Sequence, residues 1–118
     1  MSRANLARGV ALLLSALGVA CDGTTTISSR IASADGVPLA DATVTVANAP
    51  RPVHCTTDST GGCVLSFLHG GWHNRYELLF SQAGFKEGRT RASAGRKLQC
   101  RVSLAAITDV RASGAVCE

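Results

Sequence analysis

The chain has 118 residues, 46% of them apolar and 17% charged, with a formal net charge of +4. That length allows one domain with one small core, and so mild a charge excludes a nucleic-acid partner held by net attraction. Five cysteines, an odd number, make the redox compartment the first question to settle.

Arg3 and Arg8 form a basic lead, and Val10 to Val19 is a short apolar run ending in Gly18-Val19-Ala20 before Cys21. A membrane-spanning helix needs about 20 apolar residues, so residues 1–20 read as an export signal peptide. The stretch Leu17-Gly18-Val19-Ala20-Cys21 resembles the lipobox of bacterial lipoproteins, with leucine four rather than three residues before the cysteine. Gly18 and Ala20 also fit the small-x-small site of an ordinary signal peptidase, which would leave Cys21 unmodified. Counting favours the lipid: an acylated Cys21 leaves Cys55, Cys63, Cys100 and Cys117 as an even set for two disulfides. Removing residues 1–20 leaves ten basic and eight acidic side chains, too balanced to attract nucleic acid.

Residues 21–26 read as the lipidated cysteine and a polar tether. Ile27 to Ala32 is the first expected strand, ending at the turn signal Ala34-Asp35-Gly36. From Ala42 to Ala47, Ala42, Val44 and Val46 alternate with Thr43, Thr45 and Ala47, as in a half-buried strand. Pro50 and Pro52 mark a loop. His54 to Thr57 and Gly62 to Leu68 read as the arms of a β-hairpin closed by Asp58, Ser59, Gly61 and Gly62, with Cys63, Leu65 and Phe67 sharing a face. Residues 69–75 form the most exposed-looking loop. Tyr76 to Ser81 follows as a strand with Tyr76, Leu78 and Phe80 inward, then a turn at Ala83-Gly84-Phe85. Lys86 to Ala92 has the alternating charge of an edge strand. Lys97 to Ala105 is the last clear strand, with Leu98, Cys100, Val102 and Leu104 on one face. Residues 106–118 are left as a C-terminal tail. Seven short strands with regular turn signals and no helical period predict an all-β sandwich behind a signal peptide.

The order of turns resembles the carboxypeptidase regulatory-like domain. It is carried by Asp35-Gly36-Val37-Pro38-Leu39-Ala40-Asp41-Ala42-Thr43-Val44, then Thr57-Asp58-Ser59-Thr60-Gly61, then Tyr76-Glu77-Leu78 and Ala83-Gly84-Phe85. The resemblance runs from about Thr26 to Ala105 and implies a seven-stranded transthyretin-like (prealbumin-like) β-sandwich over residues 27–105. It also implies an accessory module without chemistry of its own. Phe85 stands where that family often has tyrosine, and Cys63 where it usually has an aromatic ring.

Candidate sites are sparse. His69 and His73 bracket Trp72, but Gly70 and Gly71 oppose the helix that would bring both imidazoles to one metal ion. His54 and Cys55 are chain neighbours on a strand and point to opposite faces, which opposes a cysteine–histidine nucleophile. The expectation is therefore no catalytic set, no metal and no cofactor. Four cysteines allow three pairings. A tight turn centred on Ser59 would set Cys55 opposite Cys63, so Cys55–Cys63 with Cys100–Cys117 is preferred; a one-residue bulge at Gly61-Gly62 would undo the first pair. The leading functional expectation is a non-enzymatic lipoprotein anchored in a bacterial membrane, at the outer membrane or the periplasmic face of the inner one, otherwise periplasmic or secreted. It would contact an envelope protein or glycan. The alternative is a carbohydrate-binding module in which Trp72 stacks on a sugar while Asn74 and Arg75 bond its hydroxyls.

Overall fold

The computed structural model describes residues 23–49, 53–69, 75–93 and 97–118. These form eight strands: β1 Gly23–Ser33, β2 Thr43–Val46, β3 Val53–Thr56, β4 Gly62–His69, β5 Arg75–Ser81, β6 Gly88–Ser93, β7 Lys97–Leu104 and β8 Gly114–Cys117. Two four-stranded sheets face each other, the first in the order β4-β1-β7-β8 and the second β3-β2-β5-β6. Residues 1–20, where a signal peptide is expected, and Cys21 lie outside the described residues. No helix occurs among those described, and none is long and apolar enough to cross a membrane.

Alternation builds the core. Ile27 and Ile31 of β1, Leu65 and Phe67 of β4 and Val102 and Leu104 of β7 point inward from the first sheet. Val44 and Val46 of β2 and Tyr76, Leu78 and Phe80 of β5 meet them from the second. Phe67 and Tyr76 join the sheets edge to face, their ring centroids 4.7 Å apart. The inward face of β1 also carries Thr25 and Ser29, both buried, whose hydroxyls have no hydrogen-bond partner among the described residues.

Three expectations are corrected. The strands number eight, because the tail holds β8, which pairs antiparallel with β7 from Cys100↔Cys117 to Ser103↔Gly114. Gly23 to Thr26 are not tether but the opening of β1, drawn into the sheet by pairing with Ser66 to His69. The first strand is thus 11 residues long.

The third correction concerns the hairpin. β3 and β4 do not pair: β3 lies against β2 in the second sheet and β4 against β1 in the first. The turn between them is tight, with Asp58 N–H donating to Gly62 O at 3.0 Å and Gly61 N–H to Asp58 O at 3.0 Å. The chain then splays, because Thr57 and Gly61 are claimed by different neighbours. Thr57 N–H donates to Ala42 O at 2.8 Å, while Gly61 O accepts from Ile31 N–H at 2.8 Å. Gly61 has φ +78°, and a Cβ there would run into the Ile31 carbonyl, so glycine alone fits this corner. β7 pairs with β1 in parallel, Thr26↔Lys97 to Ser33↔Leu104, which with β4 on the other side puts β1 in the interior of its sheet.

The cysteines tie these elements. Cys55–Cys63 spans from β3 to β4 and so joins the two sheets, and Cys100–Cys117 joins β7 to β8. Because Ser29 is in register with both Cys63 and Cys100, and Cys100 with Cys117, one inward row across the first sheet reads Cys63, Ser29, Cys100, Cys117.

Candidate functional site

The outward face of the first sheet is uncovered among the described residues and holds a groove of about 720 Å³. Strand register sets its floor. Val64 of β4, Ser28 of β1 and Gln99 of β7 form one cross-strand row, continued to Glu118 by paired backbone bonds of 2.9 Å between Gln99 and Glu118. The next row is Gly62, Arg30, Arg101 and Val116. The corner between β3 and β4 forms one wall through Asp58 and Thr60.

Arg30 and Arg101 are the distinctive pair. Parallel pairing sets them directly side by side, both exposed. Like charges opposite one another on a sheet are destabilising. Two other arginines have acidic partners: Arg89 meets Glu77 at 3.2 Å, and Arg111 meets Asp109 at 2.7 Å and Asp35 at 3.0 Å, whereas Arg75 and Arg91 stand singly without one among the described residues. Among the described residues neither Arg30 nor Arg101 has a carboxylate within ion-pair distance. Asp58 feels the field of Arg30, but its Oδ1 is already committed to the corner. It accepts from the Thr60 hydroxyl at 2.6 Å and from the backbone N–H groups of Thr60 at 2.9 Å and Gly62 at 3.2 Å. Those bonds, the hydroxyl first, hold the Asp58 carboxyl below its ordinary value. The groove therefore presents two guanidiniums over a floor of hydroxyl and amide groups, with Val64 and Val116 exposed on its flanks.

The residues expected from the sequence fall elsewhere. Cys55, Cys63, Cys100 and Cys117 are all in disulfides. Trp72, Asn74 and His73 lie outside the described residues. Arg75 opens β5, exposed, its carbonyl accepting from Asn48 Nδ2 at 3.2 Å. His54 is exposed on β3, opposite Thr45. No group of three histidine, cysteine or acidic side chains among the described residues could hold a metal ion. Sequence reading missed Ser28, Arg30, Gln99 and Arg101, whose only signal was polar alternation on two strands far apart in the chain.

No family model and no curated protein sequence matches the chain. Among solved structures it is similar to 3-chlorocatechol 1,2-dioxygenase from Rhodococcus opacus 1CP, at a TM-score of 0.50 and 11% identity. The match covers 79% of this chain and 59% of that one, so the chain spans well under two thirds of the enzyme's length. The likeness is one of fold. At that identity it carries no activity or substrate across.

Proposed function

We propose that this protein is a non-catalytic, lipid-anchored β-sandwich module of a bacterial cell envelope, similar to carboxypeptidase regulatory-like domains and serving in structure or protein interaction. The observation that carries this reading is the cysteine pairing: four of the five are joined in two disulfides, which leaves Cys21, behind an apolar lead, for a lipid. Two bridges in so small a core suit an oxidising compartment. Over the stretch of the family resemblance the strands are β1 to β7, the number such a domain has, and β8 is an addition bound by Cys117.

The test is intact mass of the protein from its host's membranes, before and after reduction and alkylation. The expected result is residues 21–118 plus a diacyl or triacyl group, with four thiols appearing only on reduction. A chain with a free, unmodified Cys21 in the soluble fraction would overturn the anchor.

A further inference from the structure

We infer that the groove on the outward face of the first sheet is an oxyanion site, taking the carboxylate or phosphate of a small hydroxyl-bearing ligand such as an acidic sugar. This inference does not depend on the fate of Cys21.

Two observations converge on it. Arg30 and Arg101 stand in register on parallel strands with no ion-pair partner among the described residues, so the fold holds two like charges side by side without a direct carboxylate contact. An anion with two acceptor oxygens relieves that repulsion, and guanidinium forks match carboxylate and phosphate geometry. Asp58, the carboxylate whose field Arg30 feels, is held by three bonds to its Oδ1 that close the corner, and it makes no ion pair with Arg30.

Size and lining then narrow the ligand. About 720 Å³ is far more than one phosphate or carboxylate fills, and lies in the range of small-molecule sites. Ser28 and Gln99 offer donors and acceptors on the floor, and Glu118 and Asp58 offer carboxylate oxygens on opposite walls. Val64 and Val116 give apolar flanks against which a sugar's C–H face can lie. A ligand with one acidic group and several hydroxyls uses all of these; a neutral or purely apolar one leaves the guanidiniums unanswered.

The test is calorimetric titration of the full-length protein in nonionic detergent, at low salt, with D-glucuronate, glucose 6-phosphate, inorganic phosphate and D-glucose. Glucuronate and glucose 6-phosphate are expected to bind with Kd on the order of millimolar, as two exposed charge-assisted contacts allow. Inorganic phosphate should bind more weakly than either, and glucose should not bind. Arg101→Gln and Arg30→Gln should each weaken both acidic sugars about tenfold, consistent with the loss of one charge-assisted contact, while Arg91→Gln, on the other sheet, changes nothing. Because both groove arginines are exposed the variants fold, and Arg101→Gln should melt at or above the wild-type temperature at low salt while losing the rise in Tm that glucuronate produces. The inference is overturned if glucose binds as well as glucuronate, if phosphate binds as well as both acidic sugars, if neither acidic sugar binds, or if Arg101→Gln retains full affinity.

Discussion

Thr57 shows how one side chain can fix a corner. It is only 4% exposed, and its hydroxyl donates to Leu39 O at 2.6 Å while accepting from Ala42 N–H at 2.9 Å. Thr57→Val keeps the shape and orphans both backbone groups, so it should lower unfolding stability by about 1–3 kcal/mol in urea titration. Asp109 shows the electrostatic counterpart. The Arg111 side chain and then its backbone N–H hold the Asp109 carboxyl at about 2, against an ordinary 3.8. A depressed folded value means that this carboxylate stabilises the fold above pH 3.8, and that the contribution is lost as pH falls through about 2. Asp109→Asn should therefore flatten the acid limb of a Tm-against-pH curve between those values and leave its neutral limb nearly parallel to wild type. Single residues of this kind are poorly legible in sequence: Asp58 reads as a turn residue, which it is, and Thr57 as the end of a strand arm. Asp58 bonds Thr60 and Gly62 close by, but what Thr57 bonds lies 15 and 18 positions away.

At the scale of elements, alternation was the reliable signal. It placed β2, β5 and β7 and their inward faces within a residue or two of where they lie, because side-chain period survives any choice of partner. Partner choice was not legible. A Gly-Gly turn between two apolar runs has the same local chemistry whether its arms pair or part, and here the claims of Ala42 and Ile31 part them. The cysteines at 55 and 63 face each other all the same, across the gap between sheets and not along a ladder. Their bridge is thus a clasp on the open side formed by β3 and β4. Replacing both by serine should cost about 2.5 kcal/mol by loop-closure entropy, and the loss should appear as a lower urea midpoint with a slope no shallower than wild type, since the freed denatured chain expands. β8 escaped notice because four residues of small and apolar type, in a tail, carry too short a period to read.

The whole molecule was legible as an all-β sandwich and not as a topology. Ten-residue windows cannot report that β1 is interior to its sheet, flanked by β4 and β7, since its neighbours lie about 40 and 70 positions downstream. The groove inherits that invisibility: Arg30 and Arg101 meet only because two distant strands run in parallel. So large a share of non-local pairing predicts slow folding. With disulfides intact, refolding after a denaturant jump should occur in milliseconds to seconds rather than microseconds.

That parallel pairing also has a consequence for how the protein is made. Synthesis delivers β1 first and its partner β7 almost last, with β2 to β6 between them. As the chain emerges end first, β1 can gain β4 on one side but must wait on the other until Leu104 is clear. The second sheet, by contrast, has all its members once Ser93 has appeared. Assembly is therefore two-stage by geometry. The nascent chain spends the interval with an 11-residue strand open along one edge, and that is the stretch on which a holding chaperone would have most to act.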